Sequence, residues 1–318
     1  MIRYLAGRIA QAAVVLWAAF TVSFMILYLL PSDPVSIQLS AAGLEPDSLT
    51  PHQLAAAKAE YGLGRPILDQ YFSSLAGALH GDFGTSIAKQ VPVSQLIADR
   101  IGGTLILSAV AGLLAVLIGT ALAYLAAFVR VRWVQVVLDR APAVGVAVPS
   151  FLVALVLIQY FSFRLGWLPS GGTGGWKYLV LPVITMALPP ASQLAQVLGR
   201  SFSETLREPY IVTARAKGLS RSAVQLRHAF RNAALPALTI LGVLVGLTVT
   251  SSIVVETVFS REGIGQLAQE SVLDKDIPVV QAIVVIGAAG FVVVNLVVDL
   301  LYALLDPRIT HVAAAKEA

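Results

Sequence analysis

The sequence predicts an all-α, polytopic membrane protein with six transmembrane helices. Three observations carry that prediction. Of 318 residues, 57% are hydrophobic and only 13% are charged. The mean hydropathy of +0.80 is more apolar than a surface facing water permits, so the bilayer is the natural solvent. Six apolar runs are each long enough for a hydrocarbon core, which needs about 20 residues at about 1.5 Å rise per residue.

Those runs are 6–30, 104–129, 141–163, 178–199, 234–258 and 279–305. The first, Ala6 to Leu30, is too long for a signal-peptide core and stops at Pro31-Ser32-Asp33-Pro34 without a clean small-x-small site, so it reads as a retained helix. The third starts after Pro142 and holds Pro149. The fourth holds Pro182, Pro189 and Pro190. Such prolines are tolerated where neighbouring helices, hydroxyls or water take up the freed carbonyls. They read either as simple kinks or as hinges beside a pathway. The fifth run opens at Leu235-Pro236 and carries Gly242 and Gly246 in a GxxxG pattern.

Lys and Arg set the orientation. With the N-terminus inside, the inner segments hold Arg3, Arg8, Arg130, Arg132, the cluster from Arg200 to Arg231, Arg308 and Lys316. The outer segments are longer and hold fewer. The positive-inside rule therefore places both termini in the cytoplasm. The outer segment after the first run is expected to be a small helical cap. Thr50-Pro51-His52-Gln53 has the form of a capping box, and the helix it starts should end at Gly62. A second helix should begin at Pro66 and end before Gly81, with Leu68, Phe72, Leu75 and Leu79 on one face. A third amphipathic stretch, Val91 to Ile101, leads into the second membrane run. Gly171 to Gly175 reads as a short flexible outer loop; no strand precedes it and no Lys-Ser/Thr follows, so it is no phosphate cradle.

One inner segment, Gly199 to Ala233, is basic and polar between two greasy runs. Glu208-Pro209 sets a helix start and Gly218 a stop. Ser222-Ala223-Val224-Gln225 forms a second capping box, so another short helix should run to about Arg231. The two helices meet at Gly218, which takes positive φ without penalty. Ala214 and Ala216 beside it leave room for a close partner. Three readings compete: a solvated loop obeying the positive-inside rule, an anionic-lipid patch, and a docking elbow for a soluble subunit. The ordered pair of capped helices favours the last.

With these residues in view, the chain resembles the inner permease subunits of ATP-binding-cassette importers, in the dipeptide/oligopeptide/nickel branch. The resemblance covers nearly the whole chain. It is carried by YGLGRPILDQY (61–71), HGDFGTS (80–86), VPSF (148–151), LGWLPSGG (165–172), TARAKGLS (213–220) with RHAFRNAALP (227–236), VVETVF (254–259) and NLVVDLLYALLDPR (295–308). The basic elbow is similar to the wider superfamily's EAA loop, which inserts a short helix into a groove on the ATPase. Ala214 matches that loop's second alanine and Gly218 its glycine, while Val212 and Thr213 stand where its glutamate and first alanine would be.

The resemblance implies a type I importer permease fold. It implies an N-terminal helix 1–30, an extracytoplasmic helical segment 31–95, a permease domain 96–306 containing the elbow 199–233, and a tail 307–318. It also implies partners: a second homologous permease, two cytoplasmic ATPase subunits that bind ATP and Mg, an extracytoplasmic substrate-binding protein, and the lipid bilayer, with no nucleic acid. The docking residues it implies are Ala214, Arg215, Ala216, Lys217, Gly218, Leu219 and Ser220. Function follows as ATP-driven import of peptides by alternating access in a bacterial cytoplasmic membrane. Import of nickel or another small solute by the same machinery, and an ion-gradient-driven transporter, are the alternatives.

A charge near the bilayer centre costs about 2.5–3.5 kcal/mol on insertion scales, so intramembrane polar groups call for an explanation. Asp299 lies toward the inner end of the sixth run, with Asn295 and Tyr302 one turn either side. They read as a packing network or as a pathway contact. Glu256 sits near the outer end of the fifth run and reads as interfacial or pathway-lining. Thr248, Thr250, Ser251 and Ser252 allow close packing or line a wide polar pathway; Gln193 and Gln196 are further candidates.

Missing motifs narrow the class. The sequence contains no GxxxxGK[ST], HExxH or nucleophile-elbow pattern. It has no cysteine, and His52, His80, His228 and His311 are scattered, so no metal site is expected. A transport subunit without its own catalytic site, binding no cofactor itself, is the reading. A membrane enzyme would need titratable groups clustered at one depth, and the sequence offers only isolated acids.

Overall fold

The computed structural model describes residues 2–29, 50, 52 and 66–305. The helix expected from Thr50 to Gly62, apart from Thr50 and His52, and the tail 307–318 lie outside them. The described chain is helical, with one isolated antiparallel bridge between Thr85 and Pro92. In order it forms α1 (Ile2–Leu29), α2 (Ile67–Leu79), α3 (Val93–Phe128), α4 (Arg132–Ala147), α5 (Ser150–Leu157, continued by a π-helical stretch Ile158–Arg164), α6 (Lys177–Thr205), α7 (Pro209–Ala216), α8 (Arg221–Ala223, continued by a π-helical stretch Val224–Ala229), α9 (Phe230–Val258), α10 (Ile264–Leu273) and α11 (Ile277–Leu305).

Among the described residues, four helices are long and apolar enough to cross a membrane: α1 over Gly7–Ile26, α3, α6, and α11 over Ile277–Val297. The expected third span is corrected. It is a pair, α4 and α5, bent by 101°. Pro142 lies inside α4 rather than before the helix. The break falls at Pro149, which lacks an N–H and pushes Val148 into extended backbone at φ −82°, ψ 123°. The start of the fifth span is corrected too. Leu235-Pro236 opens nothing, because the helix runs unbroken from Phe230 with Pro236 inside it.

The chain divides into two compact units. Among the described residues, one takes those up to Thr104 together with 262–293, and the other takes 105–261 and 294–305. In the first unit, Val93, Ile97, Leu267, Val279, Ala282 and Ile283 form the core where the start of α3 meets α10 and α11. The loop before α3 is clasped by the buried Asp276. Its carboxylate accepts from Ser86 Oγ, from Ile87 N at 3.3 Å and from Ala88 N at 3.3 Å. The turns of that loop use Gly81 and Gly84, both at φ +78°. The helix expected from Pro66 appears as α2, with Pro66 as its N-cap and Asp69 in its first turn, where a carboxylate suits the helix dipole. Tyr71 of α2 packs edge-on against Phe20 and Phe24 of α1.

In the second unit α6 is central. Over half (56%) of its most apolar window is buried inside the protein, against 22% for α3. One core gathers Leu107, Ala111, Ala154, Leu181, Met186, Ala187, Val255 and Phe259. A second gathers Ala123, Leu194, Leu198, Phe202, Ile211, Val224, Ala229, Ala233 and Leu244. Close approach sets the helix spacing: a Cβ on Gly145 of α4 would lie 2.1 Å from Ser192 Oγ of α6. The glycine loop at 171–175 is tied down instead of free. Gly172 N donates to Phe259 O at 2.8 Å, and a Cβ on Gly171 would sit 2.4 Å from that oxygen.

Candidate functional site: the basic elbow and the intramembrane polar groups

The elbow folds as its local sequence dictates at its first helix. Glu208 is extended at φ −66°, ψ 144°, and Pro209 occupies the first helical position, where its missing N–H leaves nothing unpaired. Helix α7 stops at Lys217, and Gly218 turns the chain at φ +79°. The second cap differs from expectation. Ser220, not Ser222, caps α8, its hydroxyl accepting from Ala223 N at 3.3 Å. The helix that follows does not end near Arg231; the π-helical stretch runs directly into α9.

Three polar contacts seat the elbow on the unit's own helices. Gln225 Nε2 donates to Ala127 O at 2.9 Å, and Arg221 Nη2 donates to the same oxygen at 3.0 Å. Ala127 is in the last turn of α3, where carbonyls have no partner within the helix. The Arg221 guanidinium also lies 5.8 Å from the Phe128 ring centre. Asn232 Nδ2 donates to Tyr210 Oη at 2.7 Å, tying α7 to α9. Sequence reasoning missed Arg221 as a contact residue and gave Gln225 only the role of a cap. Neither partner is near in sequence.

The apolar side of the elbow is taken up by the chain itself. Ile211 and Ala214 are buried with Phe202, Val224 and Ala229. Ala214 therefore leaves no room for a partner, in contrast to the sequence expectation. Arg215, Ala216, Lys217, Gly218, Leu219 and Ser220 are exposed, as is Val212. They present a short face of small, apolar and cationic groups on either side of the Gly218 turn.

The described intramembrane candidates differ in burial. Thr248 and Ser252 are buried, and Ser251 Oγ donates back to Thr248 O at 3.0 Å. Thr248 lines an apolar cavity of about 20 Å³ with Gly112, Pro190 and Leu241, too small to be a pathway. Glu256 is fully buried, not interfacial. Its helix neighbours Val255 and Phe259 belong to the core at that level. Gln193 is half-buried and Asn295 partly exposed. Gln196 is exposed and lines a cavity of about 230 Å³ with Asp139, Arg200 and Ser203. The side chains of Thr250, Asp299 and Tyr302 lie outside the described residues. Among the described residues no group of three or more His, Cys, Asp or Glu side chains could hold a metal ion.

In the first unit, Glu270 of α10 pairs with Lys89 at 2.7 Å and Arg100 at 3.2 Å. Burial pushes its carboxyl up, but the Lys89 hydrogen bond and the nearby Arg100 charge outweigh it. The net result is a carboxyl held below its ordinary range.

Comparison with known proteins accords with this architecture. Residues 90–311 match the family described as binding-protein-dependent transport system inner membrane component, and residues 1–108 match the N-terminal family of such membrane components. The chain is 38% identical to the glutathione transport system permease protein GsiC of Salmonella choleraesuis (strain SC-B67), over 98% of this chain and 100% of that protein. It is 35% identical to GsiC of Escherichia coli (strain K12), over the same shares. Among solved structures, an inward-facing MetNI methionine ABC transporter superposes with a TM-score of 0.53 at 15% identity, covering 67% of this chain and 97% of that one. An amino acid ABC transporter crystallised with histidines gives 0.51 at 20% identity, covering 68% and 94%. These structures share the fold. By matches spanning nearly its whole length, the chain belongs to the family of binding-protein-dependent transport system inner membrane components.

Proposed function

We propose that this chain is one of two permeases in an ATP-driven importer of short peptides, and that the elbow is where the ATPase docks. The carrying observation is the elbow itself. Two helices hinged at Gly218 are seated on α3 and α9, with Arg215, Ala216, Lys217 and Leu219 left facing outward. A loop that served only to report orientation needs no such seating. In this reading two ATPase subunits bind ATP and Mg and close on the elbows. A binding protein delivers substrate from outside, and alternating access follows.

Glutathione is a tripeptide, so the kinship with the GsiC glutathione permeases supports a peptide cargo. The six-span count, the cytoplasmic termini, the boundaries 1–30, 31–95, 96–306 and 307–318, and a pathway role for Gln193, Gln196, Asn295 and Asp299 belong to the same proposal. Glu256, Thr248, Ser251 and Ser252 fit packing better than a pathway, since three of the four are buried.

Reconstitution with the second permease, the ATPases and the binding protein tests the reading. Labelled glutathione should enter vesicles only with ATP. Uptake by this chain alone, unaffected by ATP removal, points instead to an ion-gradient transporter, and uptake of nickel without peptide changes the cargo. The chain has no cysteine, so Lys217→Cys gives a unique crosslinking site. Failure to crosslink to the ATPase in the active complex removes the docking assignment.

A further inference from the structure

Helix α2 carries an unexplained apolar face. At helical spacing, Leu68, Phe72, Leu75 and Leu79 line one side, while Asp69 and Ser73 lie on the other. No residue of α2 is buried. Leu68 is 69% exposed, Phe72 63% and Leu79 80%. Three large apolar side chains of one stripe, with the half-buried Leu75 between the last two, are open on a segment expected to sit in water and demand a nonaqueous neighbour.

The position of α2 beside α1 identifies that neighbour. Tyr71 Oη is 2.8 Å from Thr21 Oγ1, and Thr21 in turn donates to Trp17 O. The Tyr71 ring rests on Phe20 and Phe24. All three α1 contacts lie inside its membrane-length stretch Gly7–Ile26. Thr21 is five residues short of the outer end of that stretch, which is about 8 Å along the helix. The α1 surface at this level, Val22, Met25 and Ile26, is itself open and apolar. Helix α2 is thus docked on a span whose free face is already suited to lipid. Beyond α2 the chain turns at once to exposed His80, Gly81 and Asp82.

We infer that α2 is an interfacial helix seated in the outer leaflet, with Leu68, Phe72, Leu75 and Leu79 among the lipid chains and Asp69 and Ser73 toward the headgroups. It is not a cap standing in water. One acid and no base on the helix suit a surface held by apolar area rather than by attraction to anionic lipid.

Single cysteines at Phe72 and Leu79 test this in the full-length chain, within the assembled transporter in phosphatidylethanolamine/phosphatidylglycerol vesicles. Nitroxides there should collide with oxygen, relative to a water-soluble nickel chelate, about tenfold more than a label at Ser73→Cys. They should match a label at Val22→Cys. Ratios equal to that at Ser73 overturn the inference, because the stripe then faces water. Exclusion of both reagents overturns it too, because a protein, either the binding protein or the second permease, then covers the stripe. A photoactivated apolar reagent dissolved in the bilayer keeps the test open if labels perturb the helix. The unmodified chain should be tagged on α2 as heavily as on α1, and an untagged α2 overturns the inference.

Discussion

Gln225 Nε2 lies 2.9 Å from Ala127 O, so a side chain of the elbow satisfies a carbonyl at the end of a membrane helix almost a hundred residues earlier. Gln225 is 1% exposed, and its Oε1 has no hydrogen-bond partner among the described residues. Arg221 reaches the same carbonyl. Replacing Gln225 by Leu removes one bond but also one unpaired oxygen, terms of about 1 kcal/mol each with opposite sign. Gln225→Leu alone should thus change stability by less than about 1 kcal/mol. With Arg221→Ala added, the carbonyl loses both donors, and the double variant should cost about 2 kcal/mol, more than the sum of the singles. Thermal unfolding in detergent measures all three; simple additivity contradicts a shared role.

Gly218 turns the elbow at φ +79°, and a Cβ there would meet nothing within 4 Å. The cost of substitution is backbone strain alone, about 1–3 kcal/mol for a β-branched residue and less for Asn, which tolerates the left-handed region. Uptake per ATP hydrolysed should fall in the order Gly, Asn, Ala, Val. A Gly218→Val transporter that couples normally argues against a docking role for the turn.

Asp276 is 2% exposed and accepts from one hydroxyl and two backbone N–H groups across the first unit. Truncation to Ala strands those donors and should cost about 3 kcal/mol. Asp276→Asn should recover part of the loss. Limited proteolysis is the readout, with faster cleavage expected at 80–92 than in the parent protein.

Glu270 has a lowered pKa, so its carboxylate stabilises the first unit above its ordinary value of 4.5. The contribution fades as pH drops through that value toward the lower folded-state one. Glu270→Gln should flatten the acid side of the stability profile and leave its slope near neutrality unchanged. Denaturation of the parent and the variant across pH 3 to 7 (a range of about four units) decides it.

Gly145 and Ser192 bring α4 and α6 into contact, with room for no Cβ on Gly145. Gly145→Ala should destabilise by about 1–3 kcal/mol through overpacking. Because the obstructing atoms are Ser192 Oγ and Cβ, Ser192→Gly should rescue it. No coupling in that double-mutant cycle would sink the steric account.

Much of the architecture is local and therefore legible. Proline fixes φ and denies a donor, so Pro66 and Pro209, each following a polar residue, mark helix starts. Gly218 announces a stop because few other residues take its φ. Apolar length alone marks the helices able to cross a membrane. Legibility failed at Pro149 and Pro236, two prolines in similar greasy company. One bends the chain by 101° and the other sits inside a continuous helix. Proline's own chemistry is the same at both positions, so local sequence does not tell them apart.

The sequence by itself determined the class of protein, most of the helical elements and the basic elbow turned at Gly218, since these follow from apolar length and backbone chemistry. The tertiary structure decided which faces are free. It turned Ala214 inward, buried Glu256, tied Gln225 to Ala127 and laid α2 against the flank of α1. Burial and pairing are relations between residues far apart in the chain, and periodicity within one helix cannot encode which of its sides another helix will cover.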